Sequence, residues 1–173
     1  MEFFETLAGR HSVRKFKEKG VEEEKLQKIL EAASSAPSAG DLQAYEIVVV
    51  KDKARREKLS SAAYEQESIA HAPVVLVFLA HPDRSSKKYG RRGAELYCVQ
   101  DAAIAAAYAQ LAASALGLGC VWVGGFDEKE VSKLINAPQN MRPVSMLPIG
   151  YADEQPRVTS RRELDELAHR ERL

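Results

Sequence analysis

Three side chains near the start of the chain have the types and spacing needed to bind an anion. The segment GRHSVRKFKEKG occupies residues 9–20. Within it, Arg10, Ser12 and Arg14 stand at every second position. A helix would spread these residues around its circumference, whereas an extended segment would point all three the same way, because side chains of a strand alternate between two faces. The spacing therefore predicts an extended clamp for an anionic ligand.

The reach of this clamp limits what it could hold. Residues on one face of a strand follow each other at roughly 6.6 Å, so the Cα atoms of Arg10 and Arg14 would lie about 13 Å apart. This span is long for a single phosphate and suits an elongated ligand that has an anionic group at one end. Arginine favours phosphate through its planar fork of N–H donors. The alternative is a solvated basic segment without a ligand.

A second candidate lies at residues 35–50, in the stretch SAPSAGDLQAYEIVVV. Its small residues would let a ligand approach the backbone closely, and Asp41 and Gln43 add polar groups before the strand. The alternative interpretation is structural, because the same residues could simply stop a helix and begin a strand.

Length and composition favour a single domain that covers residues 1–173. Apolar residues make up 45% of the 173 residues, and the 25 basic and 25 acidic side chains cancel. The balance gives no electrostatic support to a general nucleic-acid or membrane-surface role. Any anion binding must therefore be local.

The cysteines and the N-terminus indicate the cytoplasm. Cys98 and Cys120 lie far apart and have no metal-binding spacing, so we expect two buried thiols in a reducing compartment rather than a disulfide. The opening MEFFETLAGR has no basic region followed by an apolar run, so no signal peptide is expected.

Common nucleotide and hydrolase motifs do not fit the sequence. The stretch GLGCVWVGG departs from GxGxxG because Trp122 stands where the third glycine belongs, and no GxxxxGK[ST], HExxH or GxSxG occurs. The four histidines have no metal or catalytic spacing. The sequence therefore predicts neither a metal site nor a catalytic triad.

The hydrophobic pattern alternates helices and strands, which predicts an α+β or α/β domain of three layers. The predicted helices are Glu2–Leu7, Val21–Ala36, Lys53–Tyr64, Ala94–Gly117 and Asp127–Asn136. The predicted strands are Tyr45–Val50, Val74–Ala80, Gly119–Phe126 and Val144–Tyr151. The polar stretch His81–Gly93 is predicted to be a mobile loop. The alanine-rich helix should lie at the centre of the molecule or at a subunit contact, since small residues let helices approach closely.

Taken in order, the motifs resemble the FMN-dependent nitroreductase family over nearly the whole chain. They are RxSxR, APSAGxxQxxxxVVV, AHAPVVLVF, the alanine-rich helix, GLGCVWVGGF, LPIGY and a basic tail. The resemblance implies an α+β fold, a three-layer α/β/α sandwich with a mixed, mostly antiparallel sheet. It also implies an intertwined homodimer with two FMN sites at the subunit interface.

The resemblance assigns a role to each segment. Arg10 and Ser12 would hold the FMN phosphate, and Arg14 would lie near the ribityl chain and the N1–C2 carbonyl edge of the flavin. The loop that begins at Pro37 would contact the flavin mainly from the second subunit. The complete set of implied cofactor-binding residues is Arg10, His11, Ser12, Arg14, Pro37, Ser38, Ala39, Gly40, Asp41, Gln43, Gly124, Gly125, Arg161 and Arg162.

Within this set, the resemblance places Gly124 and Gly125 beside the ring. It leaves open whether Arg161 or Arg162 completes the phosphate site. The chain departs from the family at Asp41, where an asparagine is usual. An amide can both donate and accept a hydrogen bond, whereas a carboxylate only accepts, so the contact of Asp41 with the flavin is open. Ala44 and Tyr45 also replace a usual Pro-Trp pair.

The implied activity is an oxidoreductase that passes electrons from NADH or NADPH through FMN to a nitroaromatic, quinone or similar small acceptor, with ping-pong kinetics. No catalytic acid or base is predicted, and Arg14 would stabilise the negative charge of reduced flavin. Alternatives are a reductive dehalogenase or a flavin-cleaving enzyme on the same fold, or a flavin-binding module of low turnover. The sequence leaves the acceptor and the choice between NADH and NADPH open.

Overall fold

The computed structural model describes residues 2–155 and 159–173, which form helices and strands in alternation. The α-helices are α1 (Phe3–Gly9), α2 (Glu23–Ser34), α3 (Lys53–Ala62), α4 (Glu67–His71), α5 (Pro82–Arg92), α6 (Cys98–Ala115) and α7 (Glu128–Leu134). The strands are β1 (Tyr45–Val50), β2 (Val74–Ala80), β3 (Gly119–Cys120) and β4 (Arg142–Gly150). Short 3-10 helices span Ala39–Asp41 and Leu164–Glu166, and a π-helix spans Gly93–Tyr97.

The four strands form one sheet in the order β1-β2-β4-β3, and every neighbouring pair is antiparallel. Tyr45 pairs with Ala80 at one end of the β1–β2 ladder. One parallel pairing adds to the sheet, because Ser12 forms an isolated bridge with Cys120 of β3. The predicted mixed, mostly antiparallel sheet is confirmed.

Strand β2 is buried on both faces, as its continuous apolar run predicts. Leu76 and Phe78 point to the layer formed by α2 and α6. Val75 and Val77 point to the opposite layer, where α3, α4 and α7 pack. This alternation gives the three-layer α/β/α arrangement of the α+β class, which confirms the fold prediction.

Helix α6 lies at the centre of the first layer, as predicted. Its alanines Ala105, Ala106 and Ala109 are fully buried against α2 and the sheet. These small side chains let α2 approach α6 closely. In the described residues, neither α6 nor another helix combines the length and apolarity that a membrane crossing requires.

The predicted mobile loop at His81–Gly93 is wrong, because the structure has helix α5 there. Pro82 occupies the first helical turn, where its missing N–H costs nothing, and His81 accepts a hydrogen bond from the Arg84 N–H at 3.4 Å. Acidic Asp83 near the start and basic residues near the end complement the helix dipole. The segment lacks large apolar residues because only a small serine, Ser85, is fully buried.

Other element boundaries differ from the sequence expectation. The predicted strand Gly119–Phe126 is limited to two residues, followed by an isolated bridge between Val123 and Met146. The predicted long helix is divided into the π-helix, which begins at Gly93, and α6. A Cβ on Gly93 would lie 2.6 Å from the carbonyl oxygen of Ser85. The absence of a side chain at Gly93 therefore permits its close packing against Ser85 of α5.

Candidate functional site

The segment that carries the predicted clamp is extended, as its spacing indicates. Arg10 leaves α1 with φ −72° and ψ 117°. The N–H of Val13 donates to the carbonyl of Cys120 at 3.0 Å, and the N–H of Lys17 donates to the carbonyl of Tyr151 at 2.9 Å. Backbone hydrogen bonds to two parts of the sheet thus fix the position of the segment.

The segment buries Val13 and Phe16, whereas the residues between and around them are half-buried or exposed. Val13 is only 5% exposed and packs with Phe16 and Ala72 beneath the segment. Ser12 and Arg14, on either side of Val13, are half-buried and exposed respectively. Because neighbouring residues of an extended chain point to opposite faces, Ser12 and Arg14 share the face turned away from the core. This arrangement is the one that the clamp requires.

No acid in the described part of the chain neutralises the guanidinium groups of the clamp. Among residues 2–155 and 159–173, none of the ion pairs includes Arg10 or Arg14. The hydrogen bonds that these two arginines make are formed by their backbone. Their charged N–H donors are therefore available to a ligand, and a phosphate is the group that they bind best.

A carboxylate from beyond β4 anchors the same segment. Glu154 accepts a hydrogen bond from the N–H of Arg14 at 2.6 Å and another from the N–H of Lys15 at 3.2 Å. The carboxylate thereby binds the backbone of the clamp rather than its guanidinium groups. The sequence analysis missed Glu154, because 140 residues separate it from Arg14 and no local pattern marks it.

Arg10 also lies near the buried thiol of Cys120. Burial raises the pKa of Cys120 to about 12, and the positive charge of Arg10 acts in the opposite direction. Both Cys98 and Cys120 are free and buried, as predicted, whereas the reducing compartment expected for them stays a prediction. The Cys120 thiol therefore stays protonated at neutral pH and fills space beneath the clamp.

The second candidate segment, Pro37–Gln43, forms a tight loop with unusual backbone angles; we call it the flavin loop, after the role that the resemblance implies. Gly40, Asp41 and Gln43 have positive φ values of 59°, 59° and 45°. The hydroxyl of Ser38 accepts a hydrogen bond from the N–H of Gln43 at 3.0 Å. The side chain of Gln43 turns back to the carbonyl of Ser34 at 2.8 Å. In this chain Gln43 therefore holds the loop against the end of α2.

Asp101 of α6 fixes both ends of the flavin loop. One carboxylate oxygen accepts from the N–H of Ala39 at 2.9 Å, and the other accepts from the N–H of Ala44 at 3.3 Å. Asp101 is only 2% exposed. The sequence analysis did not single it out, although it is the one acidic residue in an otherwise alanine-rich helix.

A groove of about 500 Å³ opens beside the flavin loop. The loop residues Pro37, Ser38 and Ala39 form one wall. Tyr97 and residues from the first turns of α6, including Ile104, form the other wall. The lining is mainly apolar around a few polar groups, which suits a flat aromatic ligand.

In one chain, the clamp and the flavin loop lie near opposite ends of α6. Asp101, which binds the loop, is in the first turn of the helix. His11 and Val13 of the clamp line a small cavity with Ser114, in the last turn. Thirteen residues of helix separate Asp101 from Ser114, which is about 20 Å at 1.5 Å per residue. The distance of about 20 Å between the two ends of the helix is longer than the span of about 13 Å between the Cα atoms of Arg10 and Arg14.

The predicted glycines, Gly124 and Gly125, lie in an exposed loop before α7. The side chain of Gln66 donates to the carbonyl of Gly125 at 3.4 Å, and the N–H of Asp127 donates to the carbonyl of Ala62 at 2.8 Å. The loop is thus fixed to the end of α3. Its contact with a flavin ring stays a prediction.

Both tail arginines form local contacts in the described part of the tail. Arg161 donates to the hydroxyl of Thr159 at 2.7 Å. Arg162 donates to the carbonyl of Glu166 at 2.7 Å and lies 3.4 Å from its carboxylate. Arg162 is therefore partly neutralised by an acid, whereas Arg161 binds neutral acceptors. The phosphate contact expected of one of them stays a prediction.

Comparison with known proteins places the chain in a family. The family model described as the nitroreductase family matches residues 7–71 and 60–151, which include the clamp, the flavin loop and the sheet. The chain belongs to the nitroreductase family.

Individual relatives and structures agree with this assignment. The chain is 32% identical to the FMN reductase (NAD(P)H) of Bacillus subtilis over 183 residues, which cover 98% of this chain and 74% of that protein. It is 32% identical to the NADH dehydrogenase of Thermus thermophilus over 84% of each chain. The solved structure of the NADPH:FMN oxidoreductase from Vibrio harveyi, complexed with NAD+, matches with a TM-score of 0.91 and 28% identity. That match covers 99% of this chain and 77% of the other.

Proposed function

We propose that this chain is a single-domain FMN-dependent oxidoreductase. It takes electrons from NADH or NADPH and reduces a nitroaromatic, a quinone or a similar small acceptor with ping-pong kinetics. The observation that carries the proposal is the extended segment whose Arg10 and Arg14 form no ion pair among the described residues, in a chain of the nitroreductase family. The names of the similar proteins, which include FMN reductase and NADPH:FMN oxidoreductase, support the choice of cofactor and electron donor.

The residues of the chain fit FMN. Arg10 and Ser12 offer charged and neutral donors to the phosphate, and no carboxylate is paired with the Arg10 guanidinium among the described residues. When bound, FMN supplies the redox chemistry by accepting a hydride and passing electrons to the acceptor. The chain therefore needs to bind and orient its ligands, and it needs no catalytic acid or base for the hydride step.

We assign Arg14 to a part of FMN beyond the phosphate, towards the flavin ring, where it would supply a positive charge. Glu154 holds the backbone N–H of Arg14 at 2.6 Å, so the base of the side chain is fixed before a ligand arrives. A guanidinium on a fixed backbone stabilises negative charge that develops beside it. We assign it to the N1–C2 carbonyl edge of the flavin.

The site is proposed to form between two copies of the chain. The clamp and the flavin loop lie near opposite ends of α6, about 20 Å apart along the helix, so we assign to one FMN the clamp of one chain and the flavin loop of the other. The chain also exposes large apolar side chains on α1 and α6, two helices that contact each other. These side chains, the apolar surface, are Phe3, Phe4, Leu7, Ile104 and Tyr108. A homodimer would bury this surface and bring the loop of one chain to the clamp of the other.

Purification and turnover test this proposal. The purified protein should be yellow, release FMN on denaturation, and oxidise NADH or NADPH when a quinone or nitroaromatic is added. Double-reciprocal plots at several acceptor concentrations should give parallel lines, as ping-pong kinetics require. A flavin storage module would bind FMN with almost no turnover, and protein whose thermal stability is unchanged by added FMN would contradict the proposal. A cytoplasmic location, inferred from the two thiols, stays a prediction.

A further inference from the structure

Helix α5 carries positive charge that no acid in the described ranges pairs with. Two of its basic residues are paired: Arg84 contacts Glu46 at 2.5 Å and Arg91 contacts Glu95 at 2.7 Å. Among the described residues, no ion pair includes the other three. These three residues, the α5 cations, are Lys87, Lys88 and Arg92.

One of the α5 cations, Lys88, lies at the flavin loop. A Cβ placed on Gly40 would overlap the hydroxyl of Tyr89 and lie 2.5 Å from the ammonium nitrogen of Lys88. The tips of these two side chains therefore rest directly on the loop backbone, where a glycine leaves room for them. Lys88 folds onto the loop although no ion pair with Asp41 or another described acid holds it there.

Two tyrosines connect the α5 cations to the groove beside the loop. The rings of Tyr89 and Tyr97 meet edge to face, with centroids 5.2 Å apart. Arg92 donates to the hydroxyl of Tyr97 at 3.0 Å, and its guanidinium lies 5.4 Å from the centre of that ring. Tyr97 also lines the groove with Pro37. Cations and aromatic rings thus share one rim of the groove.

We propose that Lys88 and Arg92, assisted by Lys87, bind the 2′-phosphate of NADPH, and that the enzyme therefore prefers NADPH to NADH. The proposal rests on the proposed function, because it needs the flavin loop to contact the flavin that the electron donor must reach. NADH has a neutral hydroxyl at the 2′ position, so it leaves the three positive charges uncompensated. The tyrosine rings offer apolar surfaces to the adenosine that carries the 2′-phosphate.

The 2′-phosphate fits the α5 cations better than the pyrophosphate of the dinucleotide does. The three cations are exposed, and two of them lie beside the groove, Lys88 at Gly40 and Arg92 at Tyr97. We place the far end of an elongated donor there. A terminal phosphate presents three oxygens and close to two negative charges, which suits several flexible cations that can converge on it. Pyrophosphate binding would instead favour NADH and NADPH equally.

The first test compares kcat/KM for NADPH and NADH in the wild type, in Lys88→Ala/Arg92→Ala and in Arg91→Ala. Arg91 is the control because it lies on the same helix and is already paired with Glu95. The wild type should prefer NADPH at least about tenfold, and the double variant should lose about tenfold or more in kcat/KM for NADPH. Its value for NADH should change less than about twofold, and Arg91→Ala should resemble the wild type. A wild type without a preference for NADPH, or equal losses for both donors, would overturn the proposal.

A second test does not depend on turnover. Calorimetry should show that the purified protein binds 2′,5′-ADP more tightly than 5′-AMP, and that the double variant loses this difference. If 2′,5′-ADP binds in this way but FMN does not bind, the proposed function fails and the phosphate subsite stands. If FMN binds and is reduced but 2′,5′-ADP binds no better than 5′-AMP, the subsite is wrong and the proposed function stands.

Discussion

The buried carboxylate of Asp101 binds the backbone of the flavin loop at Ala39 and, just after the loop, at Ala44. The position of the loop therefore depends strongly on this one residue. In Asp101→Asn, one acceptor oxygen becomes an N–H₂ group that faces a backbone N–H. We expect the free energy of unfolding to fall by about 1–3 kcal/mol, because one buried donor is left without a partner. FMN affinity should fall as well, since the loop loses one of its two fixed ends.

Urea unfolding and FMN titration of Asp101→Asn check this prediction together. Asp165→Asn, an exposed acid of the tail, is the matched control and should behave like the wild type. An Asp101→Asn protein with wild-type stability and FMN affinity would show that Asp101 does not position the loop.

Arg10 and Arg14 should contribute differently to cofactor binding. Arg10→Ala removes a charged donor from the phosphate, so the Kd for FMN should rise by about tenfold or more. Arg14→Ala should weaken binding less, because Arg14 faces the less charged part of oxidised FMN, and it should slow flavin reduction instead. Equilibrium titration, followed by flavin fluorescence, measures both constants. Arg55, an exposed residue of α3, is the control. An equal loss of FMN affinity in Arg55→Ala would remove support for the clamp.

The Cys120 thiol predicts a loss of stability in alkaline solution. Burial raises its pKa from 9.0 to about 12 in the folded chain. Between these two values the unfolded chain releases the thiol proton and the folded chain keeps it. The free energy of unfolding therefore falls as the pH rises above 9, with a slope approaching about 1.4 kcal/mol per pH unit from this group.

Urea unfolding between pH 8 and about pH 11 would measure this slope in the wild type and in Cys120→Ala. Cys120→Ala should lose the part of the pH slope that comes from the Cys120 thiol. Cys98→Ala should keep that part. Identical slopes in the wild type and Cys120→Ala would mean that the folded thiol titrates normally.

At the scale of elements, the position of the clamp depends on close packing against β3. A Cβ on Gly119 would lie 2.8 Å from three carbon atoms of Val13, so Gly119→Ala must push the extended segment away from the sheet. Overpacking of this kind costs about 1–3 kcal/mol of stability. FMN affinity should fall too, because Arg10 and Ser12 move with the segment.

Thermal unfolding and FMN titration of Gly119→Ala provide the measurement. Gly20→Ala is the control, because a Cβ there meets nothing within 4 Å. If both alanine variants retain FMN equally well, the position of the segment against β3 is not what sets cofactor affinity.

Local patterns predicted some elements well and missed others for identifiable reasons. The bounds of β1 and β2 match the prediction because each is a β-branched, apolar run that ends at polar or turn residues. The extended conformation of the segment that carries the clamp was predicted from its period of two. Helix α5 was missed because its side chains are polar, and its stability comes from caps and from close packing at Ser85 and Gly93.

Long-range contacts account for what the sequence could not predict at the site. Asp101 lies 62 residues from Ala39, and Glu154 lies 140 residues from Arg14, so no spacing rule connects these pairs. The contact of Lys88 and Tyr89 with Gly40 likewise exists only after α5 folds over the flavin loop. The residue types of the site were predictable, whereas the groups that hold them in place were not.

At the scale of the whole molecule, the proposed FMN site requires two copies of the chain. Phe4 of the apolar surface is 80% exposed in one chain. In Phe4→Glu, dimer formation would bury an unpaired charge at several kcal/mol, so we expect more monomer and a parallel loss of bound FMN. Lys58→Glu, a charge change on exposed α3, should leave the dimer intact.

Sedimentation velocity at several protein concentrations, read at the flavin and protein wavelengths, measures both effects of Phe4→Glu. A wild type that is monomeric while it still binds FMN would contradict the two-chain site.

The most direct measurement is a crystal structure of the protein grown with excess FMN. The proposed site between two chains predicts two FMN molecules per dimer. Each phosphate should lie within hydrogen-bond distance of Arg10 and Ser12 of one chain, and each ring should lie against Pro37–Ala39 of the second chain. A structure in which Arg10 and Ser12 face bulk solvent, with no flavin between the two chains, would contradict it.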